Sequence, residues 1–266
     1  MKNLRKLVVF TDLDGTLLDH DTYRWDQAQP ALDRLRAADV PVVLASSKTA
    51  PEIEILQKQM DLIGLPAIVE NGAGLIGLPA TGITRTYDAL RNALDQLPVT
   101  LRKDFRGFGD MSIAELATQT GLSVESAKLA KARGYSEPGV WSGGDVQLRH
   151  FLAALSEKSI TAQRGGRFLT LSFGQTKADG MDSVISAFRP EMTLALGDAP
   201  NDIAMLEKAD FGVIVANPHR PSLPPLPGEK EGSITRTRGA GPVGWNAAVN
   251  AFLDTLPLAE GTQANG

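Results

Sequence analysis

The feature that most constrains this chain is a repeated local grammar. A short, largely apolar run ends abruptly in a polar turn, and a helical pattern follows. Residues 6–10 (KLVVF) stop at TDLDG (11–15). Residues 41–45 (PVVLA) stop at SSKT (46–49), 66–69 (PAIV) at ENG (70–72), and 192–196 (MTLAL) at GDAPND (197–202). Apolar runs this short and without alternation suit strands buried on both faces. Between them, residues 26–38 space Ala28, Ala31, Leu32 and Leu35 as one helix face, and 47–60 carry Pro51 in a first helical turn. Residues 178–188, 201–208 and 243–256 also read as helices, 211–215 (FGVIV) as a strand, and the proline-rich 218–228 as a loop. Strand–helix–strand units of this kind predict a parallel sheet with right-handed crossovers.

The middle of the chain obeys a different rule. Residues 87–97, 112–120, 123–133 and 145–156 read as helices. Residues 140–141, 161–163 and 168–173 read as strands, with Gly143-Gly144 and Gly165-Gly166 between elements. The expectation is an α/β fold: a Rossmann-like, doubly wound parallel-sheet core at 1–83 and 174–266, with an inserted α+β cap domain at 84–173. There is no internal repeat, and 261–266 read as a frayed tail.

Composition removes several function classes. With 266 residues, 42% hydrophobic and 22% charged, the chain has the make-up of a soluble globular protein. No apolar run approaches the ~18 residues that would span a bilayer, and the first residues lack the pattern of a secretory signal, so a cytoplasmic location is expected. The absence of cysteine excludes disulfides, thiolate metal sites and a cysteine nucleophile. A net charge of -4 with dispersed acids and no basic stripe speaks against nucleic-acid binding. Nothing in the pattern sets an oligomeric state.

The chemistry gathers at strand ends, where ligands bind in open α/β sheets. Asp12 and Asp14 follow the first strand. Two carboxylates so close repel unless a cation lies between them, and all-oxygen ligands suit magnesium. The other reading is a solvated Asp-Gly turn. Ser46 is either a ligand for an anion at a helix N-terminus or a helix cap. Asp198, Asn201 and Asp202 are either a third leg of a metal site or a polar turn, with Asp202 able to serve both. His20, His150 and His219 match no ligand spacing and receive no role.

Asp12–Thr16 (DLDGT), Ser46, Lys177 and Gly197–Asp202 (GDAPND), in this order and spacing, resemble the four motifs of haloacid-dehalogenase-type phosphatases. The resemblance implies that Asp12 is the nucleophile and Asp14 the general acid and base. It implies that Asp12, Asp14 (through its backbone carbonyl) and Asp198 hold Mg2+, and that Ser46, Ser47 and Lys177 hold phosphoryl oxygens. Asn201 and Asp202 support Lys177 and metal-bound water. An acid at Asp14 goes with phosphatases and mutases rather than ion pumps. The stretch between Ser46 and Lys177 places the cap as in the branch acting on sugar phosphates and similar small molecules.

Within that branch, several pieces resemble mannosyl-3-phosphoglycerate phosphatases: SSKT (46–49), ENG (70–72), RGYSEP (133–138), GRF (166–168) and GPVGW (241–245). The implied substrate is a small phosphorylated molecule that also bears a carboxylate. Arg167 is either a clamp for that carboxylate or part of a cap-internal contact, and Lys48 either adds charge to the cleft or faces solvent. Tyr135 and Trp141 either face sugar or pack. The alternatives are a broader sugar-phosphate phosphatase, a glucosyl-3-phosphoglycerate phosphatase or, in a different class, a non-catalytic phosphate-binding module.

Overall fold

The computed structural model describes residues 7–79 and 86–256. Lys6, the expected boundary at 83/84 and the tail 261–266 lie outside the described residues. Eleven strands run in chain order: β1 Leu7–Thr11, β2 Val42–Ala45, β3 Ala67–Val69, β4 Gly74–Ile76, β5 Phe105–Gly107, β6 Glu137–Trp141, β7 Thr161–Gly165, β8 Phe168–Ser172, β9 Met192–Gly197, β10 Phe211–Ala216 and β11 Ile234–Ala240. The chain forms two compact units, residues 1–46 with 181–266, and residues 47–180.

In the first unit, β1 pairs in parallel with both β2 and β9, β9 with β10, and β10 with β11, giving the order β11-β10-β9-β1-β2. The apolar runs end up as expected of strands covered on both faces: all residues of β1 and β2 are buried. Trp245 from the helix Gly241–Thr255 is fully buried, and its Nε1 donates to Thr11 Oγ1 at 2.9 Å. That helix is tied to Gln29–Ala37 by Arg34, which donates to Asn250 Oδ1 at 2.6 Å and pairs with Asp254. A cleft of about 480 Å³ lies between β10, β11 and this helix, lined by Phe211, Phe252 and Thr237 among others.

The second unit holds an antiparallel β3–β4 hairpin and a four-stranded antiparallel sheet, β5-β6-β8-β7. One cluster, including Leu90, Phe105, Phe151 and Leu171, forms a core, and Phe108, Met111 and Leu116 form a second. The fold is therefore the expected α/β class with an inserted α+β domain.

Several local readings differ. The helix expected at 47–60 begins at Ala50, because Thr49 caps it: Thr49 N donates to Glu52 Oε2 at 2.8 Å and Glu52 N donates back to Thr49 Oγ1. Part of the expected loop 218–228 belongs to a short helix, Pro227–Glu231. Strands β4, β5 and β11 and the helix Val99–Arg102 were not anticipated.

Candidate active site

The strand order of the first unit changes direction at β1. From β1 the chain proceeds through β2 to one side, while β9 and its successors lie on the other. Such a switch point is where an open α/β sheet leaves a crevice at the carboxyl ends of its strands. The register pairs Thr11 with Leu196, and Asp12 N donates to Leu196 O at 2.9 Å. Asp12 and Asp198, which follow these residues, are set side by side by the sheet itself. Both are buried, as is Asp202, and one carboxylate oxygen from each lies within 4.8 Å of the others.

The turn after β1 closes on itself. Thr16 N and Leu18 N donate to Leu13 O, and Gly15 N donates to Leu18 O at 2.9 Å. Gly15 has φ +86°, and a Cβ there would lie 2.3 Å from Asn217 Nδ2, so both conformation and space demand glycine. This turn carries half-buried Asp14, whose side chain is not a member of the three-carboxylate group. Thr11 Oγ1, which accepts from Trp245, donates to Asp12 O at 2.7 Å, so a buried tryptophan helps fix the backbone of the expected nucleophile.

Asp198 is held on both oxygens. Thr16 Oγ1 donates to Oδ1 at 2.9 Å, Asn217 Nδ2 donates to Oδ2 at 2.8 Å, and Arg220 Nε lies 3.2 Å from Oδ2. Asp202 does serve a turn: its Oδ2 accepts from the backbone N–H of Asp198 and Ala199, each at 3.0 Å. Asn201 is half-buried in the one-turn helix Pro200–Asp202. A Cβ on Gly197 would meet Asp202 Cβ at 2.5 Å, which is why glycine precedes Asp198. Ser46 is buried at the end of β2, and the cap of the next helix is Thr49 rather than Ser46. None of the three acids lines the cleft beside β11.

The remaining candidates belong to the second unit. Lys177 is 1% exposed and opens the helix Lys177–Phe188. Thr176 caps that helix, its N and Oγ1 both donating to Asp179 Oδ2 at 2.7 Å. Ser47 is exposed and Lys48 half-buried. Both are anchored through their carbonyls, Lys48 O accepting from Glu70 N at 3.0 Å and Ser47 O accepting from Arg133. Glu70 is the hub. Its carboxylate accepts from Gly134 N, Ser136 N and Ser136 Oγ, each at 2.7 Å, and pairs with Arg133 Nε at 3.2 Å. Glu70 and Asn71 take φ of 52° and 61°, a left-handed pair followed by Gly72. The ENG and RGYSEP pieces of the sequence thus meet in space.

Arg167 is exposed. It donates through Nη2 to Thr120 O at 2.9 Å and lies over the Phe168 ring. Trp141 stacks on Phe151 at 5.0 Å, and Tyr135 lies against Gly74, so both aromatic rings pack within their own unit.

Sequence reasoning missed Thr16, Asn217 and Arg220 as partners of Asp198. Asn217 follows β10, so the strand-end rule that picked out the acids also reaches it. It missed one association of histidines: His20 and His219 stack with ring centroids 4.2 Å apart.

The model for haloacid dehalogenase-like hydrolases matches residues 9–84 and 146–222, more than half of the chain. The chain belongs to this family. Its motif residues Asp12, Asp14, Ser46, Lys177, Asp198 and Asp202 all fall inside the matched segments, and the gap between them lies in the inserted part. Among solved structures, it is similar to a haloacid dehalogenase-like hydrolase from Bacteroides thetaiotaomicron, with TM-score 0.65 and 18% identity over 92% of this chain and 98% of the other. It is also similar to a HAD subclass IIB sugar phosphatase, with TM-score 0.59 and 19% identity over 92% and 98%. The sucrose-phosphatase of a Synechocystis species gives TM-score 0.59 and 16% identity over 95% and 98%. At these identities the likeness is one of fold. No helix of the described residues is long and apolar enough to cross a membrane.

Proposed function

We propose that the protein is a magnesium-dependent phosphomonoester hydrolase that converts mannosyl-3-phosphoglycerate and water to mannosylglycerate, a compatible solute, and phosphate. One observation carries the catalytic reading: buried Asp12, Asp198 and Asp202 converge within 4.8 Å at the carboxyl-end crevice beside β1 and β9. Three close carboxylates fit a hard dication, since every donor is oxygen and the charge repulsion is relieved by the ion. Asp12 and Asp198, with the backbone carbonyl of Asp14, would hold Mg2+, and Asp202 would support it. Bound there, Mg2+ supplies positive charge against the phosphate dianion and its transition state.

The chain's own groups account for the bond changes. The Asp12 carboxylate attacks phosphorus, and its new O–P bond forms as the ester P–O bond breaks. Asp14 donates its proton to the departing oxygen. The carboxylate so formed then takes a proton from the water that attacks the aspartyl-phosphate, which releases phosphate and restores Asp12. Ser46, Ser47 and Lys177 bind phosphoryl oxygens, and Asn201 steadies this group. Arg167 meets the glycerate carboxylate, and Lys48 adds positive charge to the cleft. The substrate is a small phosphorylated molecule, and the location proposed is the cytoplasm. The substrate assignment rests on the five short pieces read in the sequence. It accords with two of the similar structures being described as sugar and sucrose phosphatases.

The test is a panel of phosphorylated metabolites assayed with Mg2+, including mannosyl- and glucosyl-3-phosphoglycerate, hexose phosphates and p-nitrophenyl phosphate. The mannosyl compound should show the highest kcat/KM. Equal turnover across hexose phosphates would overturn the substrate assignment. No turnover of any phosphomonoester would overturn the phosphatase reading itself.

A further inference from the structure

In the second unit, the turn between β3 and β4 has a backbone that is unfavourable to make. Glu70, Asn71 and Gly72 take φ of 52°, 61° and 96°, three left-handed residues in a row, and only the last is glycine. A residue with a Cβ disfavours this region, and such strain persists only where the surroundings over-determine it. Here the Glu70 carboxylate does so. Glu70 is 2% exposed and accepts four hydrogen bonds, from the backbone N–H of Gly134, Tyr135 and Ser136 and from Ser136 Oγ. Arg133 Nε lies beside it at 3.2 Å.

We infer, on the phosphoryl-binding role proposed for Lys177, that this turn is a positioning element for that lysine, and that Glu70 and Gly72 act on phosphate binding through it. The contact that carries the inference is at Gly72. A Cβ built there would overlap Thr176 C and O and lie 2.6 Å from Lys177 N. All three atoms are backbone, so none can turn aside. Only a glycine lets the turn press against the peptide that opens the helix Lys177–Phe188. Lys177 is 1% exposed, so its packed side chain has little room to make up for a shifted backbone. A group that must meet a phosphoryl oxygen tolerates little misplacement.

Reversing the chain between β3 and β4 does not itself require a buried acid, because glycine and asparagine close hairpin turns without one. What Glu70 adds is a fixed connection. Its carboxylate grips residues 133–136, and its turn ends on the peptide before Lys177. The same turn also reaches the chain after β2. Glu70 N donates to Lys48 O at 3.0 Å, and Arg133, the ion-pair partner of Glu70, donates to Ser47 O at 3.3 Å. One buried carboxylate therefore sets the backbone at Ser47, Lys48 and Lys177 together.

The experiment is a double-mutant cycle between Gly72→Ala and Lys177→Ala in the full chain. It is read by calorimetric titration with inorganic phosphate in saturating Mg2+, which needs no turnover. Each single variant should weaken phosphate by more than about tenfold, as for a lost charge-assisted hydrogen bond. The double variant should be no weaker than Lys177→Ala alone, because both changes remove one interaction. Mg2+ affinity should be unchanged in Gly72→Ala, since Asp12, Asp198 and Asp202 belong to the first unit. Should Gly72→Ala fail to fold, Glu70→Gln takes its place in the cycle with the same expectation. Asp110→Asn, whose partners are Arg91, Arg102 and Gly107, is the control for loosening of the second unit and should bind phosphate as the wild type does. Losses that add in the double variant overturn the inference, and so does an equal loss in Asp110→Asn. In either case Lys177→Ala still weakens phosphate and its proposed role stands. Phosphate binding that survives Lys177→Ala overturns that role, and the inference with it.

Discussion

Each unit of the molecule holds a group of acids, and the two groups are built in opposite ways. In the second unit, Glu137 and Asp110 are interleaved with positive charge. Glu137 accepts from Tyr87 Oη at 2.6 Å, Arg91 Nη1 at 2.8 Å and Gly109 N at 2.8 Å. Asp110 pairs with Arg91 at 2.6 Å and Arg102 at 2.7 Å. In the first unit acid stands next to acid: Asp12, Asp198 and Asp202 converge at a strand-end crevice, with Arg220 against one oxygen of Asp198. Burial alone does not separate the two, since Glu137 is as deeply buried as Asp202. The arrangement of sign does. Alternating charges cancel locally and hold a fold together, while like charges brought together raise its energy and await a ligand.

The largest expected effect comes from breaking the first group. Asp12→Asn keeps the shape and removes the attacking charge. Turnover should fall by several orders of magnitude, as for loss of a covalent nucleophile. The comparison adds a second expectation: without metal, Asp12→Asn should be more stable than wild type. Each kcal/mol of relieved repulsion would raise the thermal midpoint by about 2–4 °C. Near-normal activity in the variant, or a lower metal-free midpoint, would contradict the contrast drawn here.

Metal removal acts on the same group from the other side. Excess chelator should abolish turnover. Mg2+ should raise the thermal midpoint of the wild type in a concentration-dependent way, by linkage, and raise that of Asp12→Asn far less. Calcium should inhibit, because it accepts looser and higher coordination than in-line attack tolerates. Full turnover in excess chelator would end the magnesium reading.

The second group should answer with the opposite sign. Glu137→Ala leaves half-buried Arg91, half-buried Tyr87 and the Gly109 N–H without this partner, and should cost at least about 3 kcal/mol in urea unfolding, as for three donors left unpaired at about 1–3 kcal/mol each. Asp110 gives the pH signature. Burial pushes its carboxyl up, but hydrogen bonds from Arg91, Arg102 and Gly107 N–H outweigh this and hold it at about 2, against an ordinary 3.8. Its contribution to stability is therefore complete above pH 3.8 and disappears as the pH falls towards about 2. The urea midpoints of wild type and Asp110→Asn should differ above that window and converge below it. A constant gap would mean that Asp110 acts by packing rather than by charge.

The same contrast explains what was legible in the sequence. The acid cluster was readable because each member follows a buried apolar run, and a parallel sheet brings all such run-ends to one edge. The reading also had limits. The Glu70–Arg133–Ser136 hub was visible only as two separate motifs, because nothing local reports that residues 70 and 133–136 meet. His20 and His219 were set aside for the same reason: their association depends on β1 and β10 being held in one sheet. Strand β11 (ITRTRGA) was missed because it alternates exposed polar residues with little apolar content, a pattern that reads as loop. Strands β4 and β5 have only three residues each, too few for a period to show.

The smallest expected effect concerns Arg167, where the two kinds of arrangement meet in one side chain. Its guanidinium is steadied by Thr120 O and the Phe168 ring, both within its own unit, yet the residue is exposed. A guanidinium has five N–H donors, so one bond to a carbonyl leaves the fork with donors for a carboxylate. Holding the group on one side also lowers the entropy lost when it binds on the other. Arg167→Ala should cost roughly 1.5–3 kcal/mol of transition-state stabilisation on mannosyl-3-phosphoglycerate, as for a charge-assisted hydrogen bond. On p-nitrophenyl phosphate, which has no carboxylate, kcat/KM should change little. The ratio of the two losses is the measurement. A large ratio makes Arg167 a specificity residue that uses Thr120 and Phe168 as a mount. Equal losses on both substrates would make the Thr120 bond its whole purpose, a contact of the same self-contained kind as Arg91 with Glu137, and the carboxylate would have to be recognised elsewhere.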